Sequence, residues 1–424
     1  MKNKILCLKK HSKPIPYLMC FLSVFFNQGF TQDVSKIRID PSHAYGGKAS
    51  DFFEAIEYIP LETNSESLFG DVYQMVATDS TIVISDYDTR SVLFFTTGGK
   101  YITKVKIRED ESPVIAADLQ KREIVIKAID KSGNVVSSYF TFKGQHKKNR
   151  VAGKLASKAP NLTSIGDGFY AVLNSGHLYP NKTPKDSIYH LIDIYKDTSL
   201  YKSFLPFNQK KQLSFSYLAG SLGAIQNNSI SDGSFYTSTP YDFYVYKVNK
   251  DSAIRQYQFV FPSSRVVPTN VLTSDDLKYL DSLKYSIEHN PGIICEVRNI
   301  FFLKNRLFFR IIPGIFITRP SSEEFNQYNF VYDTISGQLA SLERITPDEK
   351  SSFLPFVNNG FMTVIYGLYF SSGCFYSSVS SLQMFAAKEN TQDKHPQYPP
   401  ALQAYFNTQN RKSNPVIVKM KLKD

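Results

Sequence analysis

The sequence predicts an all-β fold: a six-bladed β-propeller of four-stranded antiparallel blades, with one or two short helical insertions. Three observations lead there. A strand–turn–strand phrase returns along the 424 residues to give six copies. Its period is about 40 residues early and lengthens later through insertions. No Gly/Ser-rich linker separates the copies. Repeats of that size built from short strands mean propeller blades or a related array, in which neighbouring units bury one another's apolar faces. A single closed domain over residues 32–424 is therefore expected.

The first copy is the clearest. Thr81–Asp86 reads as a strand ending in an acidic turn, Ser91–Phe95 as the next strand, and Thr97-Gly-Gly-Lys100 as a hairpin turn. Glycines there supply the positive φ that tight hairpins need. Tyr101–Ile107 alternates apolar and polar residues, as a third strand should. The second copy is Glu123–Ile129, Lys131–Asn134 and Val135–Phe140, with a turn at Lys143-Gly144. The third runs through Gly166–Val172 and Ser187–Ile194, the fourth through Asp232–Thr237 and Phe243–Val248. The fifth uses Asn305–Arg310 and Tyr328–Asp333 with a turn at Ser336-Gly337, and the sixth centres on Gly360–Tyr366. Tyr (27) and Phe (33) are abundant and Trp is absent, a bias that suits half-buried pleated surfaces. One insertion reads as a helix, because Leu277, Leu280, Leu283 and Ile287 recur at helical spacing behind a capping box of Thr273 and Asp276. A second short helix is read over Pro400–Phe406.

Residues 1–31 have the layout of a secretory signal peptide. Lys2 to Lys13 form a basic region, Tyr17–Phe26 an apolar run, and Gly29 and Thr31 the small residues before a cut ahead of Gln32. The apolar run is too short to cross a bilayer as a helix, and no later stretch reaches eighteen apolar residues. Cys20 follows Leu18-Met19, which is not a lipidation context. The expectation is an exported, non-transmembrane chain, in the periplasm or cell envelope or outside the cell. The leader carries five of the lysines and no acid, so its removal lowers the formal charge from +11 to +6. The remaining basic residues are dispersed, apart from Lys143, Lys147, Lys148 and Arg150, which read as a solvated turn and not as a nucleic-acid patch. Cys7 and Cys20 lie in the leader. Cys295 and Cys374 remain, too few for a disulfide scaffold or a zinc site; one bridge and two free thiols are both open.

The order of these pieces resembles a family of exported six-bladed propellers of NHL-repeat type from Gram-negative bacteria. Three stretches carry the likeness: Ala55–Thr63 with Leu68–Tyr73; Ile82–Asp86 through Val92–Phe95 to Gly98–Lys100; and Asn414–Lys423. The resemblance implies that the last stretch is a closing strand lying beside the N-terminal strands. Where such proteins often carry a Gly-rich segment after the first blade, this chain has Arg108–Pro113. The resemblance implies fold and export more than chemistry.

The residues themselves assign no catalytic, cofactor-binding or metal-binding site. His43, His146, His177, His190, His289 and His395 share no metal-ligand spacing. His190 reads as a core or edge histidine, and His177, in the loop Asn174–Pro180, is the catalytic candidate. No Gly-x-Ser-x-Gly elbow, dinucleotide fingerprint or P-loop is present. Asp86 and Asp88 have calcium-like spacing but lack further ligands nearby. Tyr236, Tyr241, Tyr244 and Tyr246 could form an aromatic binding face, although filling the wedge between blades is the plainer reading. Asp79-Ser-Thr, Asp186-Ser-Ile, Asp251-Ser-Ala, Asp281-Ser-Leu and Asp333-Thr-Ile resemble acceptor motifs for periplasmic O-glycosylation. The expected function is a non-catalytic propeller that binds a protein, peptide or glycan at one mouth through loops of the later blades. The alternatives are a periplasmic lyase or hydrolase working in the channel, and a structural partner of an outer-membrane assembly. Channel residues come from distant blades and leave no local motif.

Overall fold

The chain is known as a computed structural model that describes residues 34–107, 114–119, 121–129, 135–152, 163–174, 188–196, 199–208, 233–268, 274, 276–290, 292–313, 329–357 and 368–423. The leader, Arg108–Pro113, Thr273, the His177 loop, Asp186-Ser187 and Gly360–Tyr366 lie outside them. Contacts divide the chain between residues 35 and 36, and the propeller is the unit 36–424.

Six sheets make six blades. Three N-terminal strands, β1 (Ser35–Arg38), β2 (Tyr45–Lys48) and β3 (Phe53–Pro60), precede the repeats. The first blade is β4 (Gln74–Ala77), β5 (Thr81–Asp86), β6 (Ser91–Thr96) and β7 (Tyr101–Lys106). The second is β8 (Val114–Asp118), β9 (Glu123–Ile129), β10 (Val135–Thr141) and β11 (His146–Ala152). The third is β12 (Thr163–Gly166), β13 (Phe169–Leu173), β14 (Ile188–Lys196) and β15 (Ser199–Asn208). The fourth sheet holds β16 (Phe235–Ser238), β17 (Tyr244–Val248), β18 (Ala253–Val260) and, at its edge, β1. The fifth holds β19 (Ile294–Leu303), β20 (Arg306–Pro313), β21 (Asn329–Asp333) and β22 (Leu339–Thr346), extended by β2. The sixth is β23 (Tyr369–Ser371), β24 (Cys374–Val379), β25 (Val416–Leu422) and β3. The terminal strand therefore closes the ring as expected, with Val416 opposite Pro60 and Met420 opposite Ile56.

Two departures refine the expected architecture. The N-terminal segment does not serve one blade only; it runs along the outer edges of the fourth, fifth and sixth blades in turn. The fifth blade has five strands, because β2 adds to β22 in parallel. Helices number four among the described residues: α1 (Ala49–Phe52), α2 (Leu277–Glu288), α3 (Ser381–Asn390) and α4 (Pro400–Thr408). Asp276 caps α2, its side chain accepting from the N–H groups of Lys278 and Tyr279. α3 was not legible from apolar spacing, although its start carries the Ser380–Gln383 capping box.

The core lies between blades, which explains why the strands of the first blade read as nearly continuous apolar runs. Every residue of β5 is buried. Ile82, Ile84, Leu93 and Phe95 pack toward the sixth blade, on Ile59, Tyr376 and Ile417. Val83, Val92 and Phe94 point the other way, onto Ile115, Ile124 and Phe140 of the second. The period of two along each strand thus feeds two cores at once. In the Thr97–Lys100 hairpin Gly99 takes φ +84°, and a Cβ there would stand 2.1 Å from the carbonyl oxygen of Pro60. That glycine is demanded both by the turn and by the close approach of β3.

The basic cluster sits differently from its sequence reading. Lys143 is in a turn, but Lys147, Lys148 and Arg150 lie on β11, the outer strand of the second blade. Lysines along an unpaired edge hinder edge-to-edge association. The outer strands of the first and third blades carry them too, at Lys104, Lys106 and Lys202.

Candidate functional site

The two mouths of the ring are built differently. Connections in an antiparallel meander alternate between the two ends of the sheet. One end gathers short turns. Asp79 in the β4–β5 turn pairs with Arg122 in the β8–β9 turn (Nη1 to Oδ2, 2.7 Å). Ser371, beside the β23–β24 turn, donates to the carbonyl of Ala77 (2.9 Å). Arg306, beside the β19–β20 turn, donates to the carbonyl of Lys423 (2.7 Å). The other end receives the long connections: 61–73 into the first blade, α2 ahead of β19, and α3 with α4 between β24 and β25.

On the long-connection mouth, α3 and α4 are packing elements. Met384, Leu402, Tyr405 and Phe406 join the core between the fifth and sixth blades, and the Tyr405 hydroxyl donates to Ser381 Oγ (2.7 Å). α2 is different. It buries Leu280 and Ile287, yet leaves Leu277 in its first turn 52 % exposed and Tyr285, about two turns later on the far side of the helix from Leu280 and Ile287, 63 % exposed, with Tyr279 also exposed. His289 stacks on the Tyr285 ring at 4.0 Å.

At the short-turn end a cavity of about 440 Å³ opens between the first and last blades. Its sixth-blade wall is one cross-strand row: Tyr376 lies opposite Lys419, and Lys419 opposite Glu57. Ile59, Cys374 and Ser372 continue that wall, and Thr78, Asp79, Ile82, Thr97 and Gly98 form the facing one. Lys419 Nζ stands 3.3 Å from Glu57 Oε2. Asp79 accepts a forked pair of bonds from Arg122, at 2.7 and 3.3 Å, and these hold its carboxyl below the usual range. Burial, with smaller contributions from Cys374, Tyr369 and Glu57, pushes the Tyr376 phenol up to about 12. The cavity mixes polar and apolar walls, its charges are paired, and its phenol stays protonated at neutral pH.

The residues singled out in the sequence are dispersed. His43 bonds Asp40 (2.7 Å), His146 bonds Asn149 (2.8 Å), and His190 is half-buried in β14. Among the described residues no group of three His, Cys, Asp or Glu could hold a metal ion. Asp86 is buried and accepts from the N–H of Thr89 (2.9 Å) and of Asp71 (3.3 Å), which makes it a turn-forming residue and answers the calcium-like spacing with Asp88. The four tyrosines do not share a face. Tyr246 belongs to the core between the third and fourth blades, Tyr236 packs on Phe302, and Tyr244 lies under the Arg255 guanidinium. Tyr241 is buried in the β16–β17 turn, its N–H on the carbonyl of Cys295 (3.0 Å). Tyr236, Tyr244 and Tyr246 fill the wedges between blades. Cys295 and Cys374 are free and buried, and burial pushes the Cys295 thiol up to about 12. What sequence reasoning missed is the cavity: its walls come from five separate stretches, and nothing local marks Glu57 or Lys419.

Among the described residues no helix is long and apolar enough to cross a membrane. No curated protein matches the chain. Solved structures do. A protein of Bacteroides fragilis described as a candidate exported protein superposes with a TM-score of 0.60 at 12 % identity, covering 92 % of this chain and 100 % of that one. A DUF4221 family member from Bacteroides vulgatus matches with a TM-score of 0.42 at 9 % identity, over 88 % and 97 % of the two chains. Virginiamycin B lyase from Staphylococcus aureus matches at 0.34 and 10 % identity, over 70 % and 76 %. At such identities the first of these speaks for the fold alone. The family is fixed by the chain itself: residues 36–421 match the model described as a domain of unknown function, DUF4934, and the chain belongs to that family.

Proposed function

We propose that this protein is an exported, non-catalytic propeller, one domain over residues 32–424, that binds a protein or peptide at its long-connection mouth. The observation that carries the reading is the exposed apolar surface of α2. A helix that buries Leu280 and Ile287 has no packing use for Leu277 and Tyr285 at 52 % and 63 % exposure, and aromatic side chains held on a rigid scaffold are common anchors of interfaces.

The test is a side-by-side pull-down from native envelope extract with the parent and a Leu277→Ala/Tyr285→Ala variant. Deleting the whole helix is the poorer experiment, since it would uncover the pocket that Leu280 and Ile287 fill. The exposed pair can be truncated with little effect on stability, while loss of an aromatic anchor is expected to weaken a partner at least about tenfold. Equal recovery of the same partner by both proteins would sink the reading. Turnover of a glycan or peptide by the purified chain would replace it with the enzyme alternative.

Export supplies a second expectation. Protein from native envelope should begin near Gln32 and carry added mass at one or more Asp-Ser/Thr motifs. Among the described serines of these motifs Ser80 and Ser282 are exposed, the Ser80 hydroxyl donating to Asp79 Oδ1 (2.9 Å), and the Thr334 hydroxyl donates to the carbonyl of Asn305 (2.7 Å). N-terminal sequencing and intact mass check both points. An intact Met1 would remove the leader, and a mass equal to the bare chain would remove the modification.

A further inference from the structure

We propose that the cavity between the first and last blades binds a small, neutral, hydroxyl-rich molecule, a short saccharide being the class that fits. The site lies at the opposite mouth from α2 and does not depend on what α2 binds.

Size is the first constraint. A volume of about 440 Å³ lies in the range of small-molecule pockets, roughly 300–1,000 Å³. Charge then selects the ligand. Both carboxylates in the wall already have cationic partners, Glu57 in Lys419 at 3.3 Å and Asp79 in Arg122 at 2.7 Å. A charged ligand would meet a like charge beside the one it sought. A hydroxyl does not. It donates to an unused carboxylate lone pair or accepts from a spare ammonium N–H, leaving the pairs intact, because a carboxylate has about four acceptor positions and an ammonium three donors. The Glu57–Lys419 pair thus offers acceptor and donor side by side, the arrangement that adjacent hydroxyls on a ring can bridge, and Asp79 adds a further acceptor. Tyr376 adds a protonated phenol, and Ile59 and Ile82 add an apolar floor for the C–H face of such a ring.

The chain supplies its own reporter. Beyond the leader its cysteines are Cys295 and Cys374; Cys374 lines the cavity and Cys295 is buried beside Tyr241. Purified residues 32–424 are alkylated with iodoacetamide, and the rate at each cysteine is followed by peptide mass spectrometry. The additives are maltose, lactose and N-acetylglucosamine, with glucuronate and glutamate as the charged arm. A sugar at about ten times its dissociation constant should slow Cys374 about tenfold, in proportion to the unoccupied fraction, and leave Cys295 unchanged. Gly98→Phe is the blocking variant. A Cβ at Gly98 meets nothing closer than Thr96 Oγ1 at 3.8 Å, and its φ lies outside the left-handed range, so the ring can enter the cavity without disturbing the turn. In that variant the sugar effect should vanish. Titration calorimetry of the same additives on parent and variant gives the same comparison without the thiols. The proposal is overturned if no neutral sugar protects Cys374 or gives binding heat. It is overturned equally if glucuronate or glutamate does better, or if Gly98→Phe retains the sugar effect.

Discussion

A chain that begins at Leu61 is expected to lose the cooperative unfolding transition, whereas a chain that begins at Ile39 keeps it at a lower midpoint. The shorter cut removes β1, an edge strand whose one buried side chain is Ile37. That costs about 1.5–3 kcal/mol of apolar burial. The longer cut also removes Ile39, Phe53, Tyr58 and Ile59, all buried. Five such side chains sum to roughly 8–15 kcal/mol, which matches the whole stability of an ordinary domain, about 5–15 kcal/mol. The topology makes matters worse. β3 is the fourth strand of the last blade, paired along β25 from Pro60 to Phe53. Its loss opens the ring and leaves Ile417 and Tyr376 without the neighbour that completes their core with the first blade. The Tyr58 hydroxyl also donates to the carbonyl of Leu354 (2.9 Å), tying β3 to the segment before the sixth blade. Guanidinium melts followed by far-UV circular dichroism decide the matter. A sharp transition in the protein beginning at Leu61 would show that the ring closes without β3.

The same strands show what the sequence could and could not disclose. Thr81–Asp86, Ser91–Thr96 and Tyr101–Lys106 were legible because propensity, apolar content and the Gly-Gly turn all agree on one hairpin meander. The closing strand was anticipated from the family resemblance at Asn414–Lys423, and Val416–Leu422 is that strand, paired with β3. The partners of β1 and β2 were not. Tyr45-Gly-Gly-Lys48 carries no strand signal, and it reaches β22 about 300 residues away through contacts such as Thr346 Oγ1 to the carbonyl of Gly47 (3.0 Å). Local pattern holds no information about so distant a pairing. α3 was missed for a related reason. Its apolar face is short, with Met384 the one fully buried apolar side chain, so the helical period is weak. The cavity was beyond sequence altogether. Glu57, Asp79, Thr97, Tyr376 and Lys419 meet because a ring closes, and the spacing between them in sequence is set by everything the ring contains.

Closure also concentrates its polar stakes in one side chain. Asn414 is fully buried. Its Oδ1 accepts from the N–H of Phe69 (3.1 Å), and its Nδ2 donates to the carbonyls of Glu62 (2.8 Å) and Ser67 (3.0 Å). These bonds hold the connection from β3 to the first blade against the start of β25. Asn414→Ala removes all three; the Glu62 carbonyl keeps the Ser67 hydroxyl (2.7 Å), while the Phe69 N–H and the Ser67 carbonyl lose their partner. At about 1–3 kcal/mol for each buried group left unsatisfied, the expected loss is about 2–5 kcal/mol. Asn414→Asp is the sharper variant, because it preserves shape and reverses one function. Its second oxygen would face two carbonyl oxygens that need a donor. At neutral pH the carboxylate should destabilise at least as much as alanine does. The folded state then favours the protonated acid, so the folded pKa rises above the unfolded one. The stability of this variant relative to the parent should recover as pH falls through that raised pKa, and be lost again as pH rises through it. Urea denaturation of parent, Asn414→Ala and Asn414→Asp across pH 4 to 8 provides the comparison. Equal stability of the Asp variant and the parent at pH 8 would mean that the Asn414 amide does not hold this corner of the ring.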